Sequence, residues 1–203
     1  MKPRKLASTL PNMLLSLGLV SVIAAALLGG MYLITKEPIA EIQKLTRLEA
    51  IKRVAPEFNN DPEADARKFA TGSGDTCTVY PALLDGRLNG AAVSCRSMNG
   101  FAGEITVMAG FTASGEVKDY QVLTHGETPG LGSKMQLWFR DPRGARSVLG
   151  KSPATTNFYV VKDKDRHGEI DGITAATISS RAFLGALRDA YKAYTDYQKS
   201  CQQ

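Results

Sequence analysis

The sequence predicts an α+β protein: a single N-terminal transmembrane helix, then an antiparallel sheet domain packed with helices. Three observations carry that expectation. The chain of 203 residues opens with a run from Leu6 to Thr35 that holds no charged residue. Its middle reads as two hairpins, each with a glycine-containing turn between segments of strand-forming residues. Its C-terminal part repeats large apolar side chains at helical spacing.

The first element is "MLLSLGLVSVIAAALLGGMYLIT", Met13–Thr35. As a helix it rises about 35 Å, enough to cross about 30 Å of hydrocarbon. "AAA" at 24–26 offers a cleavage site for a signal peptide, but the apolar run continues past it, as an uncleaved anchor requires. Lys2, Arg4 and Lys5 precede the run, which keeps the N-terminus in the cytoplasm. Residues 36–203 are then expected in the periplasm, on the far side of an inner (cytoplasmic) membrane crossed once. The expected division is 1–35 as N-terminus and anchor, 36–75 as helical stalk and loop, and 76–203 as the exported domain.

Setting aside those three basic residues, 25 Lys and Arg against 20 Asp and Glu leave a surplus of only two. No basic stripe with interleaved aromatics is present, so the composition gives no support to nucleic-acid binding. The three cysteines, Cys77, Cys95 and Cys201, form no CxxC and no Cys/His spacing, which argues against a zinc site.

After the anchor, Ile39, Ile42, Leu45, Leu48 and Ile51 recur at intervals of three, as in a helix with Pro38 in its first turn and Pro56 as its stop. Residues 59–75 are polar and turn-rich and read as loop. The first hairpin is "CTVYPALLDGRLNGAAVSC". With a three-residue loop centred on Gly86, Leu84 faces Leu88, Val79 faces Val93 and Cys77 faces Cys95. Opposed Cβ atoms lie about 4.5–5.5 Å apart, so these two cysteines are candidates for a disulfide. A two-residue loop would shift that register, and Pro81 or Asn89-Gly90 can disturb it. The second hairpin, "EITVMAGFTASGEVKDYQVLTHG", turns at Ser114-Gly115. A two-residue loop there sets Phe111 opposite Lys118, Ala109 opposite Tyr120 and Val107 opposite Val122, with Ile105, Val107, Ala109, Phe111, Tyr120 and Val122 on one face. "MQLWF" reads as a short helix and "TNFYVV" as a further strand closed by "KDKDRHGE". The last helix begins near Thr177, with Phe183, Leu187, Ala190, Tyr191 and Tyr194 on one side.

Two stretches can carry chemistry. In "GEIDGITAATISSRA", Asp171-Gly172 makes a turn, Thr174, Ala175 and Ala176 leave room for a ligand, and Thr177 stands at a helix start. Free N–H groups and the positive end of the helix dipole there favour a phosphate; a plain helix cap is the other reading, although Ser180 is not the Glu or Gln a capping box wants. In "THGETPGLGSK", Gly126, Gly130 and Gly132 allow close backbone approach, while His125, Glu127, Thr128 and Lys134 supply polar groups. It is neither a Walker motif nor a dinucleotide fingerprint, and an ordinary loop is the other reading. No GxSxG is present to support a hydrolase.

Taken together, "HGETPGLGSK" and the later "DGITAATISS" resemble the FMN-binding domain family. The basic start, single anchor and one domain resemble the G subunits of Rnf (Rsx) ion-translocating electron-transport complexes. The C subunits of sodium-pumping NADH:quinone reductases share the domain but are usually longer. The resemblance implies FMN joined covalently, through its phosphate, to the Thr177 hydroxyl. It assigns Asp171, Gly172, Thr174 and Ala176 to the motif read by a flavin transferase, and Glu127, Thr128, Gly130, Leu131 and Gly132 to the loop beside the flavin, with Lys134 at its end. Ala175 departs from the glycine more common in the motif, which would cost about 1 kcal/mol if positive φ is required there. The implied function is electron carriage within a membrane complex linked to ferredoxin and NAD. The partners are its other membrane subunits and the flavin transferase. FMN supplies the redox chemistry, so no acid, base or nucleophile is expected of the chain. A cofactor-free periplasmic scaffold or ligand-binding module is the alternative.

Overall fold

A computed structural model describes residues 9–201 except residue 73. Lys2, Arg4 and Lys5, which carry the orientation argument, lie outside the described residues. Helix α1 runs Leu10–Val54; strands β1–β5 are Arg67–Ala70, Thr76–Leu84, Arg87–Gly100, Gly103–Thr112 and Val117–His125. A short 3₁₀ turn, Gly132–Lys134, leads into the single-turn helix α2, Met135–Trp138, and helix α3 spans Thr177–Cys201. The chain divides between Thr46 and Arg47 into two compact units.

In the first unit α1 is helical throughout, and its most apolar stretch has a mean hydropathy of 2.2 with none of it buried. That length and composition fit a single-pass membrane anchor. Pro38 lies inside the helix instead of opening a new one. A proline there removes one helical hydrogen bond, which a helix of 45 residues with strong helix formers on both sides tolerates.

The second unit is a five-stranded antiparallel meander in the order β1-β2-β3-β4-β5. It begins earlier in the chain than residue 76. Residues 59–75 include β1, whose Phe69 pairs with Cys77 and packs against the core. The end of α1 packs on one sheet face, where Ala50, Ile51 and Val54 meet Tyr80, Ala82, Ala92 and Met108. The other face carries Val79, Val93, Ile105, Val107, Ala109, Phe111, Tyr120 and Val122 against Phe183, Leu187, Ala190 and Tyr194 of α3. The period-two alternation of the strands thus feeds two cores, one per face.

Both hairpin registers differ from the sequence expectation near their tips. In β2–β3 the turn has two residues, Asp85 and Gly86, both at positive φ, so Leu84 pairs with Arg87 and Leu83 with Leu88. A bulge at Asn89 on β3 then adds the missing residue, and Val79 still pairs with Val93. The two shifts cancel before Cys77 and Cys95, which form a disulfide with Cα atoms 4.4 Å apart. In β4–β5 the loop has three residues: the Thr112 N–H donates to Glu116 O, and Gly115 adopts φ +84. This three-residue loop ending in a left-handed glycine sets Phe111 opposite Val117, not Lys118. Lys118 instead points its Nζ at Ala55 O, 2.6 Å away.

"TNFYVV" is not a strand. Among the described residues its strand-like pairing is an isolated parallel bridge, Val160 with Ile170. Phe158 and Val160 are buried as strand residues would be. The backbone bonds are irregular, however: the Ile170 N–H donates to Tyr159 O and the Val161 N–H to Ile170 O, while Arg188 of α3 donates to Phe158 O.

Candidate functional site

Three elements converge on one cavity: the β3–β4 turn, the loop after β5, and residues 173–179, which form the approach turn and the first turn of α3. The cavity, of about 350 Å³, is lined by Phe101, Glu127, Thr128, Leu131, Gly132 and residues 175–179. Its walls are small or apolar apart from the Glu127 carboxylate and the hydroxyls of Thr128, Thr177 and Ser179.

The approach to the helix is built by Ser180. Its Oγ accepts from the Ile173 N–H at 2.9 Å and donates to Ala176 O at 2.9 Å. The Ile173–Ala176 turn is thereby pinned to the helix. The Ser180 N–H makes the first helical bond, to Ala176 O. Ala176 therefore holds the cap position and Thr177 is the first helical residue, so the free N–H groups belong to Thr177, Ile178 and Ser179. The cap falls one residue earlier than the sequence predicts. Relieved of capping, the half-buried Thr177 hydroxyl has no hydrogen-bond partner among the described residues. Ala175 has φ +61, the left-handed conformation that favours glycine.

Glu127 fixes the loop. It is buried; its Oε2 accepts from Ser179 Oγ at 2.5 Å and its Oε1 from the Ala102 N–H at 3.2 Å. Gly132 must be glycine here, since a Cβ would stand 2.6 Å from both Glu127 Oε2 and Ser179 Oγ. Farther along α3, Arg181 grips the buried Asp163, with Nε 2.9 Å from Oδ1. This pairing holds the Asp163 carboxyl below the usual range.

Of the residues singled out from sequence, Thr177, Glu127, Thr128, Leu131, Gly132 and Ala176 come together around the cavity. Others do not line it. Asp171 supports the turn from behind, its Oδ2 accepting from the Ala145 N–H and its carbonyl from Trp138 Nε1. Gly172 packs on Val160. Gly130 donates its N–H to Ser133 Oγ, Thr174 is exposed, and Lys134 faces a different groove with Trp138 and Arg146. His125 and His167 are exposed. Ala175, which the sequence marks as leaving room for a ligand, also lines it, whereas sequence reading missed Phe101 and the side chains of Ile178 and Ser179. Phe101 had a signal: a large aromatic in the tight turn "NGFAG", where it stays exposed.

The FMN-binding domain profile matches residues 100–192, a span that holds every lining residue of this cavity. Fold, cavity and match define an FMN-binding domain protein carried on an N-terminal apolar helix. Three relatives make the class specific. The chain is 32% identical to the G subunit of the ion-translocating oxidoreductase complex of Aliivibrio fischeri (strain ATCC 700601 / ES114), over 96% of this chain and 95% of that one. It is 34% identical to the protein of the same name from Stutzerimonas stutzeri, over 86% and 76%. It is 30% identical to the G subunit of the Na(+)-translocating ferredoxin:NAD(+) oxidoreductase complex of Acetobacterium woodii, over 91% of each chain. The chain belongs to the family of G subunits of ion-translocating oxidoreductase complexes.

Proposed function

We propose that this subunit carries electrons through FMN held by a phosphoester to the Thr177 hydroxyl. The observation that carries the reading is that hydroxyl. It lines the cavity, has no partner among the described residues, and sits on the first turn of a helix whose first N–H groups have no helical acceptor. The other lining residues fit the same group. Phe101, Leu131, Ile178 and Ala176 offer apolar surface to a planar ring system, and about 350 Å³ lies within the usual range for a small-molecule site. When bound, the flavin supplies the redox chemistry. The chain positions it: the first-turn N–H groups and the helix dipole stabilise the remaining phosphate charge, and Ser180 holds the approach turn. Asp171, Gly172, Thr174 and Ala176 form the segment a flavin transferase reads. Gly130 and Lys134 act from the outer side of the loop.

The same reading places the subunit in the inner membrane with its N-terminus in the cytoplasm and the sheet domain in the periplasm. The Cys77–Cys95 disulfide supports an oxidising compartment. A covalent bond suits a cofactor that would otherwise be lost by dilution there. Its partners are the other membrane subunits of an Rnf-type complex, with electron flow between ferredoxin and NAD coupled to ion movement. Intact mass tests the attachment. Made beside an active flavin transferase and exported, the protein should exceed its polypeptide mass by one FMN less a water and fluoresce on a denaturing gel. Thr177→Ala should lose both signals and keep the fold. A fluorescent Thr177→Ala band would move the bond elsewhere, and an unmodified wild type would sink the reading.

A further inference from the structure

Glu127 stands apart among the acidic residues. It is 4% exposed, and among the described residues no Lys, Arg or His lies within ion-pair reach of it. A buried carboxylate without a cation is costly to keep unless hydrogen bonds compensate. Two do: the Ser179 hydroxyl from the first turn of α3 and the Ala102 N–H from the β3–β4 turn. The packing around it leaves no slack. A Cβ at Gly132 would come 2.6 Å from Oε2, and one at Gly100 2.6 Å from Oε1. One carboxylate therefore ties together all three walls of the cavity, and it forms part of the cavity lining itself.

A structural tie alone does not require a charge, because a glutamine could occupy the same volume. The charge has its own consequence, since a fixed negative charge at a water-poor wall opposes placing further negative charge beside it. The N–H groups at the start of α3 act in the opposite direction. We propose that Glu127 is a positioning residue that latches the three walls of the site through Ser179 and Ala102, and whose negative charge lowers the reduction potential of the flavin held there. This inference rests on the flavin reading above.

The test uses full-length protein in detergent, loaded by a co-expressed flavin transferase. Each sample is checked by intact mass and then titrated with a chemical reductant against a redox dye. Each electron taken up by the flavin comes from that reductant. Glu127→Gln removes the charge and keeps the shape. At fixed ambient potential it should raise the ratio of reduced to oxidised flavin about tenfold, equivalent to ~59 mV for a one-electron couple. Ser179→Ala keeps the charge and removes one bond from the latch, so the potential should stay level or fall. Flavin-loaded Glu127→Gln at the wild-type potential would overturn the inference. So would upward shifts of similar size in both variants, which would point to loosened packing rather than charge. If Glu127→Gln does not fold, Ser179→Ala decides alone, and a rise in its potential would overturn the proposal. A wild type that carries no FMN by mass would overturn the flavin reading, and this inference with it. A loaded but unshifted variant overturns this inference alone.

Discussion

The first turn of α3 and the body of the same helix are built on opposite rules. From Phe183 onward the helix buries bulk: Phe183 stacks on Phe139 with centroids 4.5 Å apart and meets Tyr120 edge-on at 4.9 Å. Tyr194 stacks on Phe111 at 5.5 Å and gives its hydroxyl to Thr112 O. Burial pushes that Tyr194 hydroxyl up to about 12. From Thr177 to Ser180 the helix buries almost no apolar volume. It commits Ser179 and Ser180 to polar contacts that shape a cavity, and leaves the Thr177 hydroxyl unengaged. One helix thus divides its tasks along its length, with cohesion in the later turns and the wall of a cavity in the first.

That division can be broken by mutation, and the largest effect should come from the body. Phe183→Ala removes a ring with contacts on two sides and should destabilise the sheet unit by about 3–5 kcal/mol. Chemical denaturation would measure this. Protein that remains folded should still accept the flavin. Loss of attachment in a folded Phe183→Ala sample would show that the two parts of the helix are not independent.

Ser180→Ala should come next. It strands the buried Ile173 N–H and should cost about 1–3 kcal/mol. Unlike the body substitution, it should also slow flavin attachment, because the approach turn is no longer pinned. Stability by denaturation and fluorescence yield per protein, measured on the same preparations, would check both halves. A stability loss with unchanged attachment would make Ser180 a fold residue only. The smallest effect should be at Ala175, where Ala175→Gly relieves the left-handed strain and should stabilise by no more than about 1 kcal/mol. Thermal unfolding should show a rise of a few degrees at most.

The same contrast explains what the sequence disclosed. The body of α3 was legible because apolar spacing reports burial directly: Phe183, Leu187, Ala190 and Tyr194 are all in the core. The inward face of β4 and β5 was legible for the same reason. The tips of both hairpins were not, since loop length and bulges trade against each other and spacing alone cannot separate them. The role proposed for Thr177 rests on a motif, as an isolated threonine at a helix start most simply reads as a cap. The latch between Glu127 and Ser179 joins residues 52 apart in sequence, and no local pattern encodes it. "TNFYVV" misled because buried β-branched and aromatic residues look alike in a strand and in an irregular segment.

Ala175 bears on how such sites are searched for in new genomes. A search string that insists on glycine two places before the threonine that opens the helix would pass over this chain, although its backbone takes the turn at φ +61. A rule written for the conformation, admitting any small residue that tolerates it, would retain this chain and others that made the same exchange.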